Sequence, residues 1–309
     1  MKYIVTGGAG FIGSNLVDEL VMQGHEVVVL DNLSTGLESN VNSKAKLVVC
    51  DISSCNKSGS FRKLAEEMMK GVDTVFHLAA LARVQPSIEN PYKFNQINEG
   101  GTLNMLEVAA NAGVRRFVFS SSSSVYGDVT EEELPTKETN SFNPMSPYAL
   151  NKLVGEEYCR LYSRIYNIET VCLRYFNVYG ERQPLTGAYA LVMGTFAKQK
   201  LEGKTLTING DGEQRRDFTY VKDVAIANIL ASQSEKVGQG EAINIGNSDN
   251  RSVNDIARLI GGETTNRDPV IEPRETLADN TRARELLNWS STISLEDWMP
   301  KYKKDLGIE

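Results

Sequence analysis

Histidine is nearly missing from this chain: its 309 residues include only two, His25 and His77. A hydrolase that depends on a histidine base has little to be built from. His77 closes the apolar run Thr74-Val75-Phe76 and His25 falls in a polar turn, so both read as structural. Cysteine is also scarce. Cys50, Cys55, Cys159 and Cys172 form no CxxC pair, and a Cys/His zinc cage needs tighter spacing; reduced thiols and no metal are expected. The 33 basic residues are scattered among 40 acidic ones without forming a run, for a net charge of −7, which leaves no electrostatic footprint for nucleic acid. No apolar stretch reaches the ~20 residues that cross a bilayer. Met1 to Val5 lead straight into a strand-like run and a glycine turn, without the segments of a secretory leader. The expectation is a cytoplasmic protein that binds neither nucleic acid nor membrane.

What is present is the makings of a core. Hydrophobic residues are 41% and charged residues 24% of the chain, as in an ordinary globular protein, and the length suits a main domain of roughly 170 residues with a smaller lobe. Short apolar runs recur between helical stretches: Tyr3-Ile4-Val5, Val27-Val28-Val29-Leu30, Leu47-Val48-Val49, Thr74-Val75-Phe76, Phe117-Val118-Phe119 and Thr170-Val171-Cys172-Leu173. Continuous Val-rich runs are strands buried on both faces, and alternation with helices implies parallel pairing through right-handed crossovers. The fold class predicted is α/β, a doubly wound parallel (Rossmann) sheet. Residues 1–175 are expected to form it and residues 176–309 mainly a substrate lobe, with a return near 217–246 through Ala242-Ile243-Asn244-Ile245.

Thr6-Gly7-Gly8-Ala9-Gly10-Phe11-Ile12-Gly13 follows the first strand and opens an amphipathic helix. Gly7 lets the chain turn, Gly10 admits a pyrophosphate to backbone amides, and Gly13 lets helix and strand pack closely. The helix N-terminus adds N–H donors and partial positive charge. Asp31 ends the second strand about 20 residues on, where a carboxylate accepts ribose hydroxyls and repels a 2′-phosphate. The cofactor expected is NAD rather than NADP.

Tyr148 and Lys152 are four residues apart, on one face of a predicted helix. An ammonium beside a phenol favours the phenolate, so the tyrosine can act as a base near neutrality. Lowering its pKa by about three units takes roughly 4 kcal/mol, more than the roughly 1 kcal/mol of one solvated charge, so the pair must be partly desolvated, with the nicotinamide's charge helping. The serine run Ser120 to Ser124 is read as following the fifth strand, beside the cofactor crevice.

With the glycine turn, Asp31, the serine run and Tyr148/Lys152 in this order, the chain resembles the extended short-chain dehydrogenases/reductases, in particular the UDP-glucose/UDP-N-acetylglucosamine 4-epimerase family. The likeness extends over essentially the whole length, through His77-Leu78-Ala79-Ala80, Gly101-Thr102, Leu173 to Gly180, Gly210-Asp211-Gly212, Arg216-Asp217-Phe218 and Ala278-Asp279. It implies an isomerase with retained NAD. The Tyr148 phenolate takes the O4 proton while C4 hydride passes to NAD, and hydride returns to the other face of the rotated 4-keto sugar. Lys152 lowers the phenol's pKa and holds the nicotinamide ribose, and Ser122 hydrogen-bonds the sugar oxygen, with Ser123 the less favoured alternative.

The resemblance further places Gly7, Gly10, Phe11, Ile12, Gly13, Asp31, Asn32, Asp51, Ile52, Leu78, Ala79, Ala80, Asn98, Tyr148, Lys152 and Tyr175 around NAD, and Asn177, Arg216 and Arg274 on the UDP diphosphate. An arginine suits bidentate phosphate binding. Thr276 falls where the family sets the width of the sugar pocket; a small residue there implies that UDP-GlcNAc/UDP-GalNAc are accepted as well as UDP-Glc/UDP-Gal. Helices near Pro91 to Ala112 and Ser146 to Tyr166 imply a homodimer. The related 4,6-dehydratases carry an Asp-Glu pair where this chain has Ser123-Ser124, and the decarboxylases a Glu at Ser124, so epimerisation is favoured. Arg83 is an unusual cation near the sugar pocket, meeting either a substrate carboxylate, as in a UDP-glucuronate 4-epimerase or decarboxylase, or only solvent. The reading from another class is a non-catalytic NAD-binding sensor, against which the intact Ser122/Tyr148/Lys152 set speaks.

Overall fold

Apolar on both faces, the Val-rich runs belong inside, and the computed structural model of the chain sets them in one sheet. The structure describes residues 1–54, 65–185, 191–270 and 272–308; Cys55 lies outside them. β1 (Lys2–Thr6), β2 (Glu26–Asp31), β3 (Lys46–Val49), β4 (Thr74–His77), β5 (Arg116–Ser122), β6 (Glu169–Tyr175) and β11 (Gln239–Ile245) run parallel in the order β11-β6-β5-β4-β1-β2-β3. This is a doubly wound Rossmann sheet. From β1 the chain steps outward through β2 and β3, then returns to β4 on the other side of β1 and steps outward again. The reversal opens a crevice beyond the carboxyl ends of β1 and β4, where such sheets bind ligands.

Alternation along each strand divides the core in two. Tyr3 and Val5 pack with Leu16, Val17 and Leu20 of the helix Phe11–Met22 and with the helix Val221–Gln233, while Ile4 packs with Met105 and Leu106 of the helix Gly101–Asn111 and with Cys159 and Tyr162 of the helix Pro147–Ile165. Each fully buried aliphatic side chain contributes about 1.5–3 kcal/mol. His77 is buried between the Thr6 Oγ1 at 2.9 Å and the Thr102 Oγ1 at 3.0 Å. Burial holds its pKa down to about 3, so the ring is neutral and structural.

The helix Pro147–Ile165 starts where it does because Ser146 accepts a hydrogen bond from the Ala149 N–H at 3.2 Å and proline occupies its first turn. Its buried residues, Ala149, Lys152, Gly155, Glu156, Cys159 and Tyr162, follow three- and four-residue spacing. Gly155 lies so close to β5 that a Cβ there would stand 2.4 Å from the Phe119 ring.

The remaining strands are short pairs: β7 (Val178–Tyr179) with β10 (Thr219–Tyr220), β8 (Leu206–Asn209) with β13 (Thr264–Arg267), and β9 (Arg215–Asp217) with β12 (Asn250–Ser252). Tyr179 meets Trp298 edge-on at 5.1 Å, and Trp298 stacks on Tyr302 at 4.3 Å, a geometry aromatic rings favour. Asp217 ties two loops to β9 by accepting the N–H groups of Asn247 (2.7 Å) and Ser248 (2.9 Å) from one and of Ala278 (3.0 Å) from the other.

Candidate active site

The glycine turn is a set of close approaches. At Gly7, with φ of 71°, a Cβ would sit 2.7 Å from the Ala79 nitrogen, and at Gly13 it would sit 2.2 Å from the Gly7 carbonyl. Gly10 caps the helix Phe11–Met22 without a side-chain bond, so the first N–H groups of that helix face the crevice without intrahelical partners. Asp31 accepts the Ala9 N–H on Oδ2 at 3.0 Å and the Leu33 N–H on Oδ1 at 2.8 Å. One donor on each oxygen leaves lone pairs for ribose hydroxyls. Backbone cradle, helix terminus and carboxylate together fit a dinucleotide.

These residues border one cleft of about 1070 Å³, whose walls include Gly7, Gly10, Phe11, Ile12, Gly13, Asp31, Asn32, Asp51, Ile52, Leu78, Ala79, Ala80 and Tyr175 at the cofactor end, and Ser122, Ser123, Tyr148, Lys152, Asn177, Arg216 and Thr276 further along. A volume at the top of the range for one small ligand suits two adjoining ones.

Two expected residues are not brought to this wall. Asn98 stands behind it: its carboxamide donates to the Leu81 carbonyl and accepts the Leu81 N–H, both at 2.8 Å, so it holds the loop after β4. Arg274 points outward, 60% exposed and paired with Asp211 at 2.9 Å. It borders a cavity of about 340 Å³ that adjoins the cleft, the two sharing Asn209, Val270, Glu272 and Pro273.

The serine run departs from the sequence reading in where the strand stops. Ser120, Ser121 and Ser122 still pair with Leu173, Arg174 and Tyr175 of β6, so they end β5 instead of following it. Alternation then gives each serine a different job. Ser120 Oγ meets the Tyr175 hydroxyl at 2.9 Å, Ser121 donates to Glu156 at 2.5 Å, and Ser122 accepts the Ser124 N–H at 3.2 Å. Burial pushes the Tyr175 hydroxyl up to about 12. The Ser124 hydroxyl is buried without a hydrogen-bond partner among the described residues.

Tyr148 and Lys152 do share a face, with the ammonium 5.9 Å from the Tyr148 ring and 5.0 Å from that of Phe119. Lys152 donates to the Ser120 carbonyl at 2.6 Å, and burial lowers its pKa to about 8. The expected depression of the phenol by Lys152 is not found in the protein alone. Burial raises Tyr148, against downward pulls from a hydrogen bond with Ser122 and from the Arg83 guanidinium. Arg83 is on the cleft wall.

At the far end Arg216 is bonded to Glu272 at 2.6 Å, while Asn177 donates to the Asp217 carbonyl and to Thr276 Oγ1, both at 3.4 Å. Glu272 is a cleft residue the sequence reading missed, and nothing in its local spacing singles it out. Glu156 was also missed. It lies four residues beyond Lys152 and binds Arg174 through Nη2 at 2.7 Å and Nε at 2.9 Å. The Lys-x-x-x-Glu spacing is a signal that could have found it.

A family model described as the NAD dependent epimerase/dehydratase family matches residues 3–246. The putative UDP-glucose 4-epimerase of Methanocaldococcus jannaschii is 41% identical over 302 residues, covering 95% of this chain and 94% of that protein. Among solved structures, the Thermotoga maritima UDP-glucose 4-epimerase with UDP-glucose superposes with a TM-score of 0.91 at 36% identity, over 99% of this chain and 100% of its own. The UDP-N-acetylglucosamine 4-epimerase from Methanobrevibacter ruminantium M1, in complex with UDP-N-acetylmuramic acid, gives 0.87 at 34% identity over 99% and 95%. A dinucleotide cradle, a tyrosine and lysine on one helix face and these likenesses over nearly the full length have one reading: the chain belongs to the NAD-dependent epimerase/dehydratase family.

Proposed function

We infer that the protein inverts C4 of a UDP-hexose using NAD that it retains between turnovers. The observation that carries this reading is the convergence of Ser122, Tyr148 and Lys152 on the cleft that the glycine turn and Asp31 enter from the other side. Tyr148 takes the proton from the sugar O4 and later returns it. Ser122, whose side chain pulls the phenol's pKa down against burial, orients that oxygen with Ser123 beside it. Bound in the cradle, NAD would supply a reversible hydride acceptor for C4. Lys152, fixed on the Ser120 carbonyl, holds the nicotinamide ribose, and Asn177 and Arg216 hold the diphosphate. Residues 1–175, with the return near 217–246, serve NAD, and residues 176–309 mainly serve the UDP-sugar.

Thr276 supports a sugar pocket wide enough for a 2-acetamido group, so UDP-GlcNAc/UDP-GalNAc are substrates along with UDP-Glc/UDP-Gal. Arg83 on the cleft wall favours the second reading, a UDP-glucuronate as substrate for epimerisation or decarboxylation; serines at 122 to 124 offer decarboxylation no carboxylate partner. A cytoplasmic homodimer fits both readings. Tyr92, Leu150, Leu161, Ile165 and Tyr166 leave apolar surface exposed on the two helices expected to pair.

The test is NMR of purified protein incubated separately with UDP-Glc, UDP-GlcNAc and UDP-GlcA, without added cofactor. C4 epimers should form from the first two. Turnover of UDP-GlcA alone would replace this reading with the second.

A further inference from the structure

A carboxylate is bonded to the arginine at the far end of the cleft. Arg216 of β9 is held by main chain: its Nη1 donates to the Arg215 carbonyl at 2.8 Å and to the Arg274 carbonyl at 3.4 Å. Its Nη2 donates to Glu272 Oε2 at 2.6 Å. The other carboxylate oxygen, Oε1, accepts from Gln214 Nε2 at 3.2 Å, and the same nitrogen donates to the Asn209 carbonyl at 3.0 Å. A neutral carboxamide thus helps to hold the glutamate against the arginine, with both charged residues on the cleft wall. The arginine side chain is 12% exposed and the glutamate 35%, so the negative partner is the more open of the two.

Neighbouring charges are engaged elsewhere. Arg274 is turned to Asp211 at 2.9 Å, and its N–H donates to Asp128 at 3.0 Å. Arg215 donates to the Asn250 carboxamide at 2.7 Å with Asp255 at 3.9 Å, and Glu275 accepts from Asn250 at 2.6 Å. Asp217 is enclosed by the backbone amides of Asn247, Ser248 and Ala278. Arg216 and Glu272 therefore sum to no charge as a pair, and the attraction that a guanidinium offers every phosphate is offset at this spot.

We propose that Glu272 is a specificity-determining residue, one that disfavours a free nucleoside diphosphate relative to its sugar ester. The proposal rests on the reading that Arg216 meets the diphosphate. Esterified to a sugar, the outer phosphate keeps a single negative charge; set free, it ionises again with a pKa of about 6 and carries nearly one charge more at neutral pH. A carboxylate bonded to the arginine that meets the phosphates lies within one Debye length, about 8 Å, and repels that extra charge. Like charges set against the wrong ligand discriminate without new contacts to the right one. Substrate and product of C4 inversion are both esters, so the reaction loses little while the hydrolysed nucleotide is kept from holding the cleft.

The experiment measures Ki for UDP and KM for a UDP-hexose with holoenzyme of the parent, Glu272→Gln, Glu272→Ala and Glu272→Asp. Both neutral variants should lower Ki for UDP by about fivefold, the scale of one partly exposed charge pair, and lower KM by less, so that the ratio of Ki to KM falls. Glu272→Asp, which keeps the charge, should retain the ratio of the parent. An unchanged or higher ratio in both neutral variants overturns the proposal. So does a ratio that falls equally in Glu272→Asp, since shape rather than charge would then be responsible. Arg216→Gln separates the two readings. If it leaves Ki and KM as in the parent, the diphosphate assignment fails; if it raises both while the Glu272 variants match the parent, only the role of Glu272 fails.

Discussion

Glu156 and Arg174 form a two-pronged ion pair from which water is excluded, Nε to Oε1 at 2.9 Å and Nη2 to Oε2 at 2.7 Å, with both side chains 0 to 1% exposed. It ties the helix bearing Tyr148 and Lys152 to β6, and through Ser121 to β5. The arginine continues to the Tyr126 hydroxyl at 2.7 Å, which donates to Asn244 of β11.

Removing one partner leaves an uncompensated charge in the core. Glu156→Ala should therefore cost about 3–5 kcal/mol, and replacing both partners by apolar residues of similar volume should recover most of that loss. Urea unfolding of the two variants decides it. A single variant as stable as the parent would mean that water reaches Arg174.

Tyr148→Phe should lower turnover of a UDP-hexose by about 10²–10⁴, the usual contribution of a placed acid–base group, while the purified protein carries as much NAD as the parent. Coupled assay and cofactor extraction give the two readings. Unchanged biological activity alongside normal NAD content would favour the sensor.

Burial of Lys152 makes a prediction about pH. Its folded pKa of about 8 lies below the ordinary lysine value of 10.5, so between those values the unfolded chain binds more protons and stability rises with pH. The cost is fully present below about pH 8 and absent above about 10.5, and over roughly two and a half units it amounts to about 3 kcal/mol. Lys152→Met should therefore be more stable than the parent near neutrality in cofactor-stripped protein, by a margin that closes as pH rises, while its activity falls. Urea midpoints across that window test it; a constant margin would contradict the assignment.

Thr276→Tyr should abolish turnover of UDP-GlcNAc and UDP-GalNAc and spare UDP-Glc and UDP-Gal. Thr276 Oγ1 also accepts the Asp217 N–H at 3.2 Å, so thermal unfolding is measured in parallel. Equal loss of both substrate pairs would refute a role in pocket width.

Local pattern revealed what depends on local pattern. The apolar runs marked six of the seven sheet strands, since burial on both faces demands continuous apolar sequence, the return through Ala242 to Ile245 marked the seventh, and the glycine turn with Asp31 gave the cradle. Tyr148 and Lys152 were legible because helical spacing alone aligns them. Asn98 was misplaced because its partner, Leu81, is set by the path of a loop, and Arg274 because Asp211 reaches it across the fold. The serine run was read as following β5 because serine favours turns in isolation, whereas pairing with β6 extends the strand through Ser122. Glu272 owes its place on the cleft wall to a tertiary neighbour, Arg216.

Gly155, pressed on Phe119, has a consequence for Tyr148, about two turns earlier on the same helix. The height of the long helix above β5 is fixed by the smallest possible side chain, and that height is also the vertical reach between the phenol of Tyr148 and the hydroxyl of Ser122. A lone hydrogen atom thus acts as the spacer gauge of the cleft wall, and a single methyl group there would lift the helix on which Tyr148 is mounted.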